Sequence, residues 1–277
     1  MSTDNRLLAG RCIGISISES EDLPAIGLDA RAVNDFTVDI CRRLIALGAC
    51  VVLGHDWRAG GIMESVTKFA LAYRGEHGKP SHPLIQNVLA APDMPGLSED
   101  ERKELQSYVV TRSVTWAPEI RTENSESEIS QYSKSFHPGS ESRAANLFAM
   151  RYELAKRCDI RLVIGGRILG HQGKVPGLIE EAWLTMESGK PVLCSTGLGG
   201  VAERIVDPSR NEELPWVSHA MDMFRKLDRF RGRSGRDALC IPSNSLSTGA
   251  LIAQMVKVLR FREDASLGDM PSFLTEE

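Results

Sequence analysis

Two adjacent carboxylates, Glu180 and Glu181, follow Pro176 and Gly177, and an arginine, Arg151, precedes them among Ala144, Leu147, Leu154, Ala155 and Cys158. Arg151 lies on or beside that apolar stripe, so its guanidinium must reach out of the surface or be paired within it. A structural ion pair and a clamp on phosphate or ribose are both open to it. Pro176 suits a first helical position, and the amides from Gly177 onward are then free at the positive end of a helix dipole, an arrangement that favours an anion. Glu180 and Glu181 fall in the first turn of that helix. There they either compensate the dipole or face a ligand, where they would hold ribose hydroxyls or activate water beside an oxocarbenium-like centre.

Four turns rich in small residues follow predicted strands, where an open parallel sheet binds its ligands. They are Ser16 to Ser20, with Ser16 and Ser18; Gly54 to Gly61, with Gly54, His55, Gly60 and Gly61; Gly165 to Gly177, with Gly165, Gly166, Arg167, Pro176 and Gly177; and Thr196 to Gly200, with Gly199 and Gly200. Tight connections need glycine anyway, but four such turns in one chain point to phosphate binding. The phosphate loop of nucleoside triphosphatases is excluded, because Ile168 stands where its first glycine belongs and Val175 where its metal-binding hydroxyl belongs. Gly197 to Ala202 fits G-x-G-x-x-A, but it comes late and no strand with a ribose-binding acid follows, which argues against nicotinamide redox chemistry. The six cysteines form no C-x-x-C pair and the six histidines no zinc spacing, so buried thiols, no metal and no cofactor are expected.

The elements that must position these groups alternate. Strands are predicted over Arg11 to Ile17, Ala49 to Gly54, Pro83 to Ala90, Ser107 to Trp116, Ile160 to Gly165 and Pro191 to Ser195. Helices are predicted over Ala30 to Gly48, from Gly61 to about Arg74, over Glu99 to Leu105, Arg143 to Cys158 and Leu178 to Ser188, then near Val201, over Val217 to Phe230 and over Gly249 to Phe261. Short apolar strands alternating with helices predict a Rossmann-like three-layer α/β/α sandwich with a mainly parallel sheet. Residues 1–277 read as one domain, with a mobile insertion at 117–142, rich in Ser, Glu and Asn, and a helical C-terminal extension at 206–277. That extension is expected to complete the same sheet or a dimer interface. Arg225 to Arg236 reads as a solvated helix end, and Ser243 to Gly249 as a helix cap that could also offer hydroxyls to a partner subunit's ligand.

Composition narrows the function. Of 277 residues 42% are hydrophobic and 25% charged, which is globular. The net charge of −4 lacks the basic excess of a duplex-DNA binder, so nucleic acid is not the expected partner. No apolar run approaches the roughly 20 residues that span a bilayer, and no signal segment is evident, so no membrane partner and a cytoplasmic location are expected.

The order Arg151, Asp159, Gly165-Gly166, then Pro176-Gly177-x-x-Glu180-Glu181 resembles the SLOG superfamily, as does Gly60-Gly61-Ile-Met-Glu after the second strand. That superfamily groups the Lonely Guy nucleotide phosphoribohydrolases with related nucleotide-sensing Rossmann-like domains. The resemblance covers most of Arg11 to Ile205 and implies that Arg151 matches the family's active-site arginine, and Gly177 and Glu180 its G-T-x-E-E motif. This chain departs from the hydrolases by inserting Arg167 to Pro176 and by carrying Leu178 in place of Thr, and the longer form is similar to branches from bacterial defence systems. The resemblance therefore implies a sensor for a phosphorylated, NAD-derived nucleotide, in a homodimer or higher oligomer working with a separate effector protein. The alternative is a nucleotide N-glycosidase that cuts the base–ribose bond.

Overall fold

The computed structural model describes residues 6–54, 57, 60–77, 82–93, 98–116, 127–136, 143–207, 209, 218–231 and 233–264. Seven strands pair into one sheet, and every pairing is parallel. They are β1 (Cys12–Ser18), β2 (Cys50–Leu53), β3 (Ile85–Ala90), β4 (Val109–Val114), β5 (Ile160–Gly165), β6 (Val192–Ser195) and β7 (Cys240–Ser243), in the order β4-β3-β2-β1-β5-β6-β7. The helices are α1 (Ala30–Ala46), α2 (Ile62–His77), α3 (Glu99–Leu105), α4 (Glu128–Lys134), α5 (Arg143–Arg157), α6 (Gly177–Glu187), α7 (Gly200–Val206), α8 (Ser218–Asp228) and α9 (Thr248–Asp264).

The layering follows from strand alternation, since successive side chains point to opposite faces. In β5, Ile160, Leu162 and Ile164 enter one apolar core with Ile40 and Leu44 of α1 and Leu251 and Met255 of α9. Val163 faces the opposite layer, with Phe148 of α5, Trp183 of α6 and Phe224 of α8. Both faces are covered, so β5 is buried along its whole length, as parallel sheets require. Caps fix the helix starts: Asp29 accepts the Ala32 amide at 2.9 Å, and Ser98 and Glu101 form a reciprocal capping box on α3.

The predicted three-layer architecture is present, with two differences. Residues 128–134, expected as loop, form α4, because Ser127 caps its start and Ile129 and Phe136 bury themselves against Phe148 and Trp183. The rest of the expected insertion, 117–126 and 137–142, lies outside the described residues. The C-terminal extension is not helical throughout. Cys240–Ser243 forms β7 and completes the sheet beside β6.

The chain builds outward from β1 to β4, then returns through α5 to lay β5 on the other side of β1. The strand order therefore reverses between β1 and β5, and the crevice beyond their carboxyl ends is the binding position of such sheets. Among the described residues no helix is long and apolar enough to cross a membrane.

Candidate functional site

A cavity of about 290 Å³ opens at that switch point. Ser16 and Ser18 reach it from the end of β1, Gly54 from the end of β2, Arg151 from α5, Arg167 from the turn after β5, and Gly177 and Glu181 from the start of α6. Seven of the predicted residues thus converge from five segments of the chain.

Beneath the cavity lie two arginines and two glutamates. Arg151 Nη1 donates to Glu180 Oε2 at 2.7 Å, and Arg151 Nε lies 3.8 Å from Glu181 Oε1. Arg161, on the α6-facing side of β5, donates from Nη1 to Glu181 Oε2 at 3.0 Å and to Ser16 Oγ at 2.7 Å, and from Nε to Thr185 Oγ1 at 2.8 Å. Ser16 Oγ donates in turn to Glu181 Oε2. Arg161 is fully buried, a position that the charge neutrality of the quartet makes tolerable. Burial pulls the Arg151 guanidinium down, but the charges of Glu180 and Glu181 outweigh it and leave the group raised above its ordinary value.

The two glutamates differ although they are neighbours. Glu180 uses both oxygens, accepting from Arg151 and, at 2.7 Å, from Tyr132 Oη of α4. It is 1% exposed and does not line the cavity. Burial and the adjacent Glu180 charge push the Tyr132 hydroxyl far above its usual range, so it remains a donor. Glu181 lines the cavity, and among the described residues its Oε1 accepts no hydrogen bond. Arg151 Nε is buried and has no hydrogen-bond partner. In two residues that line the cavity, a donor and an acceptor therefore stand 3.8 Å apart with no hydrogen bond between them. A hydroxyl can satisfy both, because it donates and accepts.

Glycine places Arg151. A Cβ on Gly177 would stand 2.6 Å from Arg151 Nη2, and one on Gly173 would stand 2.8 Å from Nη1. The guanidinium lies against bare backbone from both residues, and Pro176, at the N-cap of α6, directs that backbone past it. Leu178 stands where the hydrolase motif has Thr, and it also lines the cavity.

Other predicted residues have structural partners. Gly165 and Gly166 pack beneath the site, the Gly166 amide donating to Ser18 O at 3.0 Å and its carbonyl accepting from Val201 at 3.1 Å. The Gly200 amide donates to Asp22 Oδ2 at 2.7 Å, and Gly199 is pressed against the same carboxylate. Gly60 and Gly61 start α2, where the Gly60 amide donates to Glu64 Oε2 at 2.6 Å. His55 lies outside the described residues.

Sequence reasoning missed Arg161, Tyr132, Glu21 and Asp22. A single Arg inside the apolar run Ile160 to Ile164 was the available signal for the first, and an acidic run directly after β1 for the last two. Nothing in the spacing of Tyr132 pointed to Glu180. Among the described residues no group of three His, Cys, Asp or Glu could hold a metal ion. Burial pushes the Cys41 thiol up to about 12, so it stays protonated and inert.

The fold is that of a Rossmann-like α/β protein with a cavity at its switch point. The family described as SLOG cluster2 matches residues 7–231, and the chain belongs to that SLOG family, which ties it to nucleotide-related binding. No curated protein matches the chain. Among solved structures it is similar to DNA processing protein A from Helicobacter pylori, described for its single-stranded DNA binding mode. The two share 14% identity at a TM-score of 0.38, over 82% of this chain and 84% of that one.

Proposed function

We propose that the chain is a nucleotide sensor, holding a phosphorylated, NAD-derived nucleotide in the switch-point cavity without turning it over. One observation carries this: Arg151 and Glu181 both line the cavity, and Arg151 Nε stands 3.8 Å from Glu181 Oε1 with no hydrogen bond made, a donor and acceptor that a ribose hydroxyl could bridge. An unmade hydrogen bond on a buried charged group costs about 1–3 kcal/mol, which a bound hydroxyl would recover. The volume of about 290 Å³ sits at the lower end of ligand pockets and suits a mononucleotide-sized ligand better than an extended dinucleotide. Membership of the SLOG family supports the same ligand class. In the full proposal the protein acts in the bacterial cytoplasm, in a conflict or signalling system, as a homodimer or larger assembly whose state a separate effector reads.

A second reading, nucleotide N-glycosidase, has one specific observation in its favour: Glu181 is a carboxylate that faces the cavity. A general base needs a free lone pair, and only Oε1 of Glu181 offers one, since Glu180 is held by Arg151 and Tyr132. Ser16 and Arg161 on the other Glu181 oxygen hold the carboxylate in one orientation, which suits a binding contact.

Mass spectrometry of small molecules released from the denatured protein, then incubation of fresh protein with AMP, NAD and cyclic ADP-ribose, tests both. An intact nucleotide, carried through purification and left unprocessed, supports the sensor. Free base that disappears in Glu181→Gln establishes the hydrolase instead, and failure of any nucleotide to bind rejects both.

A further inference from the structure

Three of the turns expected to bind phosphate carry a carboxylate of the chain itself. Glu64 accepts from Gly60, Asp22 accepts from Gly200, and Glu21 accepts from the amides of Ile168 and Leu169. The first two belong to local structure: Glu64 sits in the first turn of its own helix, and Asp22 is packed against Gly199. Glu21 is different. Its Oε1 takes both amides at 3.0 Å, its Oε2 takes Ile168 again at 3.2 Å, and the side chain comes from the far side of the crevice, after β1. Two convergent backbone amides are the usual seat for a phosphate oxygen in folds of this kind, and here a carboxylate sits in it.

The amides that Glu21 occupies belong to the segment that walls the cavity. Arg167, Leu169, Gly170 and His171 all line it, as does Arg151. Glu19 pairs with Arg167 on that segment, so two acids hold the turn after β5 against the loop after β1. Both links are at the surface: Glu21 is exposed, and the Arg167 side chain is 60% exposed. A carboxylate so placed can exchange its amides for water, and an exposed ion pair holds its partners only weakly. Leu169, 53% exposed, stands at the cavity wall with apolar surface that a seated ligand would cover.

We infer that Glu21 is a resident anion on the Ile168 and Leu169 amides, and that a ligand's phosphate group takes this seat by displacing it. The inference rests on the nucleotide-binding proposal for its ligand and on the Glu21 geometry for its seat. Displacement removes one of the two ties between the turn after β5 and the loop after β1, and the incoming charge then competes with Glu19 for Arg167, so one exchange of anions both loads the cavity and loosens its wall. Ligands without phosphate leave Glu21 where it is.

The test uses the full chain labelled with ¹⁵N, titrated with inorganic phosphate and, separately, with AMP and adenosine, in the wild type, Glu21→Ala and Glu21→Gln. Phosphate is expected to shift the Ile168 and Leu169 amide resonances at roughly tenfold lower concentration in Glu21→Ala than in the wild type, the scale of one charge-assisted hydrogen bond, with Glu21→Gln between them. Adenosine affinity is expected to be equal in all three. Glu21→Gln keeps an acceptor on the amides, so it reports even where Glu21→Ala loses order. Amides that phosphate leaves unmoved, or moves at the same concentration in all three proteins, overturn the resident anion, whatever AMP does. Phosphate shifts as expected, with AMP binding no tighter than phosphate, overturn the nucleotide-binding proposal instead and leave the anion seat standing.

Discussion

Around the cavity arginine pairs with glutamate both in a buried quartet and on the exposed rim, and the two sets of pairs do opposite things. In the buried quartet of Arg151, Arg161, Glu180 and Glu181, no side chain is more than 12% exposed. On the rim, Arg167 and Glu19 are 60% and 41% exposed. The chemistry is the same, so solvent makes the difference: a buried charge cannot trade its partner for water, and an exposed one can at little cost. The quartet is therefore a fixed frame, and the rim is a set of exchangeable contacts.

The sharpest way to break that contrast is Arg161→Met, which removes a buried charge and strands Glu181. Urea denaturation is expected to show a loss of about 3–5 kcal/mol. A loss under 1 kcal/mol would place the quartet in the same class as the rim. Next comes Arg151→Lys, which keeps the charge near Glu180 and deletes the Nε–H. Calorimetric titration with AMP is expected to lose about 1.5–3 kcal/mol of binding free energy, with a melting temperature shifted much less than in Arg161→Met.

Tyr132→Phe is smaller, about 1–1.5 kcal/mol of stability at neutral pH, for one hydrogen bond taken from Glu180. It also carries a pH signature. The folded Tyr132 value is raised, so below the unfolded value of about 10 its contribution is whole, and above it the unfolded state alone ionises and stability falls. The wild type should lose stability more steeply than Tyr132→Phe as pH rises past about 10, and parallel curves would show that the hydroxyl is not held by Glu180. Last, Arg167→Ala is expected to change stability by no more than about 1 kcal/mol, since its partner Glu19 is returned to water.

How far each region was legible follows from the same physics. Apolar periodicity marked β1, β2, β5, β6, α1, α5 and α6, because buried faces impose it. It failed at β7, where four residues with Pro242 inside them lack an apolar alternation, and at α4, whose few apolar residues are diluted by Ser and Glu. Within the site, Arg151, Gly177 and Glu181 stood out because their residue types conflict with their surroundings. The division of labour between Glu180 and Glu181 did not, since it depends on Tyr132 and Arg161, which are 48 and 20 residues distant in the chain. The ownership of the glycine-turn amides was equally hidden, because the acids that claim them come from a loop that approaches only in three dimensions.

Pro242 has a consequence beyond the site. It lies in β7, the outermost strand of one side of the sheet, and offers no N–H to a further strand. At the other margin, β4 presents Arg112 and Ser113 to solvent. Both described margins of the sheet thus carry features that discourage edge-to-edge pairing with another copy.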